Sequence, residues 1–320
     1  MPRQWMRYID VTAEGGGKTL NLSDFRCRFS IRQFTSQTVN EADIRITNLG
    51  PKTAKLFVSK DSEFKKITVT AGYQENNGIV FTGNITQARY GKESPTDTFL
   101  DIFAADNDRS HNFAVVNKTF AAGSTLKDHW DEMTKQMVAL GAKQGQIVGV
   151  DLTQVKFPRA TTIFGMARDV GRNIAKTMYA DFSSVHGEIH LVHKDAALPG
   201  GPVEVNSQTG MIGSAIQTIN GIMVRILINP QIKVMTLIHL NEATVLPAML
   251  TRDIGGDVSQ AAGQITPLAD DGIYKVLQVN VTGDTRGNPW YMDLSCVAHD
   301  TSKIPDGLLM AAGVAKSKGF

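Results

Sequence analysis

The chain has only two cysteines, Cys27 and Cys296, in 320 residues. No disulfide framework or oxidising compartment is implied, and there is no Cys-x-x-Cys motif. Each cysteine sits in an alternating strand pattern, where a free thiol behaves as a small buried hydrophobe. An excess of either charge is also missing, since 33 basic residues against 31 acidic ones leave +2. That balance offers no general attraction for a phosphate backbone or an anionic membrane, so no specific nucleic-acid partner is expected. Long apolar runs are missing too. The longest, Gly221 to Ile228, is split by Arg225 and falls far short of the roughly 20 residues that cross a bilayer. Met1 to Tyr8 lacks the apolar core of a secretory signal, and Asp10 interrupts the next few residues. The expectation is a protein made and folded in solution, with no membrane span. The three tryptophans are scattered, which counts against a carbohydrate-binding β module with grouped exposed aromatics.

Catalytic signatures are equally sparse. No Gly-x-Ser-x-Gly elbow occurs. Glu14-Gly15-Gly16-Gly17-Lys18-Thr19 ends like a phosphate-binding loop, but the glycine required five places before Gly17 is Thr12, so a hairpin turn is expected instead. His186, His190 and His193 are close enough in sequence to suggest a metal. On a strand, however, His190 and His193 point to opposite faces and His186 falls in the turn, so convergence is not expected. Asp270-Asp271 precede a strand, and Asp128, Asp131 and Glu132 decorate the polar side of a helix. No catalytic, cofactor-binding or metal-binding residue is assigned, and no cofactor is expected.

What the chain does have is β pattern. At this length two or three domains are expected, and 42% hydrophobic with 20% charged residues is ordinary globular material. Phe25 to Arg32 alternates, with Phe25, Cys27, Phe29 and Ile31 on one face and Arg26, Arg28, Ser30 and Arg32 on the other. Further strands are predicted at Ala42 to Leu49, Lys66 to Tyr73, Ile79 to Tyr90 and Thr98 to Ala104. Asn48 to Pro51, Asn76 to Gly78 and Ser94-Pro95 serve as turns, and a helical turn is expected at Lys52 to Phe57.

After Asp106 the period changes. Leu126, Trp130, Met133, Met137 and Leu140 line one helical face, Thr125 and Asp128 offer a capping box, and Gly141 stops the helix. A second helix is predicted from Thr162 to Met178 with Phe164, Ala167, Val170, Ile174 and Met178 on its apolar side, and Gly171 is read as a close approach of another backbone. Next comes a small hairpin, Asp181 to Val185 and Glu188 to His193 about His186-Gly187.

Strands return at Met211 to Ile219, Gly221 to Ile228, Val234 to Leu240, Gly272 to Val281 and Trp290 to Val297, with an extended loop between Glu242 and Asp271. The last two strands form a hairpin about Gly283 to Pro289, with Asp284 paired to Arg286 and one of Trp290 and Tyr291 in the core. The fold class is mainly β (α+β), with two antiparallel barrel or sandwich domains flanking a small α/β domain. The boundaries are 1–105, 106–198 and 199–300, with an arm at 301–320.

Three stretches resemble the baseplate hub proteins of long-tailed bacteriophages, in that family's order. Thr161 to Val170 is similar to the helix start in the middle of those hubs, Asn206 to Gly213 with Gly221 to Pro230 to the beginning of their second β domain, and Asp271 to Cys296 to their C-terminal hairpin. The resemblance implies two tail-tube-like domains per chain and a homotrimeric ring. Such a ring would adapt the sixfold tail tube to the threefold spike and close the distal tube end. Implied partners are the chain itself, tail tube or distal tail proteins, the central spike or needle, baseplate wedge proteins and the tape measure protein. The implied location is the virion tail, after synthesis and assembly in the host cytoplasm. The alternative is a tail-associated peptidoglycan hydrolase, which would require two acids converging in a cleft.

Overall fold

The computed structural model describes residues 6–15, 18–35, 39–58, 63–218, 221–240, 245–246, 269 and 272–299. Apart from residues 245, 246 and 269, the expected loop between Glu242 and Asp271 lies outside these residues, as does the expected arm from Thr301.

The N-terminal segment folds as β1 (Arg7–Gly15), β2 (Lys18–Asn21), β3 (Arg26–Phe34), β4 (Glu41–Thr47), α1 (Pro51–Val58), β5 (Lys66–Tyr73), β6 (Asn76–Lys92) and β7 (Thr98–Ala105). The glycine-rich stretch is the hairpin turn between β1 and β2, with Gly15 opposite Lys18. In β3 the alternation becomes burial: Cys27, Phe29 and Ile31 are inward and Arg26, Ser30 and Arg32 outward. Gln33 continues the buried face, and its amide is satisfied by donating to the Val80 carbonyl at 2.8 Å. The turn between β5 and β6 falls at Gln74-Glu75, earlier than the Asn-Asn-Gly signal suggested. Asn77 closes it from inside the strand by donating to the carbonyls of Tyr73 and Gln74, a side-chain role that turn composition does not specify.

The insert contains α2 (Asp108–Phe113), β8 (Val115–Phe120), α3 (Leu126–Ala139), β9 (Lys143–Val148), β10 (Thr161–Met166), α4 (Ala167–Thr177), β11 (Ala180–Val185) and β12 (Glu188–His193). Thr125 and Asp128 form the expected capping box on α3. Leu126, Trp130, Met133 and Met137 pack with Val116, Ala167, Val170, Ile174, Phe182 and Leu191 in a core separate from the main one. The turn between β11 and β12 is the expected two-residue one, with positive φ at both His186 (53°) and Gly187 (88°).

The second predicted helix starts later than expected. Thr161–Met166 is a strand, because it pairs antiparallel with β8, itself outside the set of predicted strands. Phe164 therefore leaves the predicted apolar stripe and is 77% exposed. Phe164→Ser is expected to change stability by no more than about 0.5 kcal/mol, measured by urea unfolding, whereas a helical core position would lose several times that. At Gly171 the close neighbour is a side chain: a Cβ there would come within 2.8 Å of the Phe182 ring.

The C-terminal segment supplies β13 (Val203–Val205), β14 (Ala215–Thr218), β15 (Gly221–Leu227), β16 (Leu237–Leu240), β17 (Val245–Leu246), β18 (Ile273–Asp284) and β19 (Trp290–Ala298). Two strands are shorter than predicted. Met211 makes only an isolated bridge to Ile226, and Val234 to Thr236 sit in a turn in which Met235 has φ 65° and the Thr236 hydroxyl donates to the Lys233 carbonyl.

These strands do not form an isolated sheet. The order β17-β14-β15-β19-β18-β3-β4-β7-β6-β5-β1-β2 runs from one end of the chain's β structure to the other. The seam is the antiparallel β18–β3 pair, from Gln278 opposite Phe34 to Asp284 opposite Arg28. One apolar cluster lies beneath it, from Val11 to Ala298. The architecture is mainly β and mostly antiparallel.

Candidate functional site

The outward face of the continuous sheet carries charge in rows. Strand pleating places every second side chain on one face, and register then aligns those residues across strands. One row reads Asp284, Arg28, Arg45, Asp101, Arg89 across β18, β3, β4, β7 and β6. A second reads Arg225, Asp293, Asn280, Arg32, Glu41 across β15, β19, β18, β3 and β4. Both rows cross the seam.

The charges are matched locally. Asp101, with its side chain only 8% exposed, takes a two-pronged contact from Arg45 at 2.5 and 2.9 Å and a third from Arg89 at 3.1 Å. Arg28 reaches Glu93 at 3.1 Å, and Arg225 pairs with Asp293 at 2.6 Å while lying over the Tyr291 ring. Asp101→Asn is expected to cost about 1–3 kcal/mol, because it removes the charge from a buried acceptor that two guanidinium groups share. Glu93→Gln, at an exposed pair, should stay within about 1 kcal/mol. Urea unfolding of both variants checks the contrast.

The turn after β18 is fastened by its own chain. Asp284 pairs with Arg26 at 2.7 Å and not with the Arg286 side chain as predicted; Arg286 contributes its backbone N–H, at 2.9 Å. The antiparallel neighbour β3 brings the Arg26 guanidinium alongside, an alignment local sequence cannot show. That hydrogen bond holds the Asp284 carboxyl below its usual range. Arg7 donates to the carbonyls of Asp284, Gly287 and Asn288, and Thr285 exchanges two hydrogen bonds with the Cys27 backbone. Trp290 is the core member of the Trp-Tyr pair, as expected, and Tyr291 stays partly exposed. Both cysteine thiols are buried, and burial raises their pKa values.

The insert meets both β segments at a cleft of about 480 Å³. β5 and β6 supply Lys66 and Thr68 with Thr82, β9 supplies Lys143, the β11–β12 hairpin supplies His186 and His190, and the chain before β16 supplies Lys233. Asp106 lies at its floor, accepting from the Gly187 N–H at 2.8 Å, and burial lifts its carboxyl to about 7. Burial, reinforced by Lys233, depresses His186 to about 3. Elsewhere on the insert, buried Lys275 of β18 donates to the carbonyl of Lys194 at 3.0 Å and lies 3.9 Å from Asp181. Desolvation weakens the charged form of both partners. Sequence reasoning missed this tether, whose signal was one lysine inside the apolar run from Ile273 to Val281.

The three histidines take separate partners. Nδ1 of His190 accepts from the Gln146 N–H at 3.1 Å, Nδ1 of His193 accepts from the Asp195 N–H at 3.3 Å, and His186 occupies the turn. Among the described residues no three potential metal ligands gather. Asp128 caps α3, Asp131 pairs with Lys127 and Glu132 with Lys118, so these acids do not converge. Asp270 and Asp271 lie outside the described residues. Among the described residues no helix is long and apolar enough to cross a membrane.

The fold is mainly β and similar to that of phage tail proteins. Similar solved structures include the 43 kDa tail protein of prophage MuSo2 from Shewanella oneidensis (TM-score 0.58, 12% identity, 93% of this chain and 99% of that one). The tail protein from Neisseria meningitidis MC58 is also similar (0.55, 12%, 91% and 96%). A third is the Escherichia coli c3393 protein, a component of the type VI secretion system (0.50, 10%, 94% and 77%). No curated protein matches the sequence. The model of the family described as Baseplate hub gp41 matches residues 8–244, and the chain belongs to that family. Its role is structural, in the baseplate of a phage tail.

Proposed function

We propose that this chain forms a closed ring, as a homotrimer, that adapts the sixfold tail tube to the threefold spike and closes the distal end of the tube. The observation that carries this is the β3–β18 seam, which joins strands from both ends of the chain into one sheet whose charged rows continue across it. Residues 1–105 and 199–300 act as two tube-like modules, 106–198 as the insert between them and 301–320 as an arm. Three chains then present six similar modules, so a threefold ring stacks on a sixfold tube.

A ring needs heterologous contacts between two different patches. β2 ends the sheet path with its second edge unpaired among the described residues, and such an edge offers hydrogen-bonding groups to a neighbouring chain. The partners are tail tube or distal tail proteins, the central spike or needle, baseplate wedge proteins and the tape measure protein. Sedimentation of the full chain alone and with tube and spike proteins, combined with cryo-electron microscopy, tests the reading. A threefold ring around a channel is the expected result. A chain that stays monomeric and binds neither partner would overturn it.

A further inference from the structure

We infer that the cleft between the insert and the two β segments is an oxyanion-binding site, taking a phosphate or carboxylate group between Lys66, Lys143, Lys233 and the imidazoles of His186 and His190. The basis is a contrast in charge matching. On the sheet face Arg26, Arg28, Arg32, Arg45, Arg89 and Arg225 each have a carboxylate within 4 Å. Lys66, Lys143 and Lys233 line one cleft, drawn from three parts of the fold, and none makes a salt bridge among the described residues. Gathering unpaired cations around one cavity raises their mutual repulsion, and a bound anion relieves it.

The imidazoles report the same field. Lys233 lies close enough to disfavour the protonated form of both His186 and His190, in addition to the effect of burial. Nδ1 of His186 is buried with no hydrogen-bond partner. The His190 ring accepts the Gln146 N–H through Nδ1, which leaves Nε2 as the protonated donor.

The acids at the cleft, Asp106 and Glu188, offset the three lysines only in part. Asp106 is engaged with the Gly187 N–H, and its raised pKa leaves it partly neutral near pH 7. Glu188 stands 3.9 Å from Nε2 of His190. Because the site combines lysine charge with imidazole N–H donors, it suits an oxygen anion better than a cation. One oxyanion chemistry has two sources here: free phosphate, or a carboxylate on an acidic segment of another protein.

The test uses the full chain. Its melting temperature is measured against sodium phosphate, against sodium chloride at equal ionic strength, and against a hexaglutamate peptide. The His186 and His190 ring protons are monitored by NMR in the same titrations. The expected result is a saturable rise with phosphate or peptide that chloride does not reproduce, together with shifts of both imidazole signals. Lys143→Gln with Lys233→Gln should weaken binding about tenfold, whereas Lys52→Gln, on α1 away from the cleft, should leave it unchanged. Tighter binding of the peptide than of phosphate assigns the anion to a partner protein; binding of phosphate alone assigns it to the free ion. The proposal is overturned if chloride matches both probes, if the lysine pair makes no difference, or if Lys52→Gln weakens binding as much. None of these outcomes depends on the ring.

Discussion

Trp290→Ala is expected to lower the unfolding free energy by about 3–5 kcal/mol, the usual loss for an aromatic removed from a core. Trp290 is 3% exposed and meets Phe29 edge to face at 5.6 Å, beneath the guanidinium of Arg7 at 5.3 Å from the ring. Its Nε1 donates to the Gly72 carbonyl at 3.2 Å. One side chain thus binds the last strand to β1, β3 and β5, so its loss loosens the seam and not just a local pocket. Trp290→Phe keeps most of the packing but loses the hydrogen bond to the Gly72 carbonyl, and should cost about 0.5–1.5 kcal/mol. Urea unfolding of both variants provides the measurement. A Trp290→Ala protein within about 1 kcal/mol of the parent would show that the seam is held from elsewhere.

Asp106→Asn and His186→Asn should tilt the pH dependence of stability in opposite directions. Asp106 titrates near 7 when folded and near 3.9 when unfolded. The folded state therefore holds the extra proton in that window, and this contribution, complete below the unfolded value, is lost as pH rises towards 7. His186 is the reverse: folded at about 3 and unfolded near 6.5, it contributes stability above 6.5 that is lost as pH falls. Between about pH 4 and 6.5 the two slopes oppose one another in the parent, each at most about 1.4 kcal/mol per pH unit. Relative to the parent, Asp106→Asn should gain stability as pH rises through this window and His186→Asn should lose it. Asparagine tolerates the positive φ of the turn, so backbone strain does not confuse the comparison. Urea-derived stabilities at three pH values in the window decide it; curves parallel to the parent's would show that neither group is coupled to folding.

The readable parts of the fold share a cause. The alternation of β3, the stripe and capping box of α3, and the His186-Gly187 turn all arise from periodicity or local backbone preference within a few residues. The errors arose where a distant partner decided. Thr161 to Met166 has residues that fit a helix start, yet pairing with β8 makes them a strand and turns Phe164 outward. Asp284 and Arg286 are two apart, yet β3 brings Arg26 to the aspartate. The cleft was hidden for the same reason, since Lys66, Lys143, His186 and Lys233 come from separated segments and no spacing links them.

By itself the sequence determined that this is a mainly β chain with a helical insert, two buried free cysteines and no strong net charge, and its three stretches pointed to the baseplate hub family. Those are properties of composition and of short periodic segments, for which local physics is sufficient. Tertiary structure alone decided that the first and last β segments share one sheet, that charged rows cross their seam, and that cations from three regions meet around one cleft. Each of these depends on strand register and on packing between residues far apart in the chain, and register is chosen by the whole buried face at once.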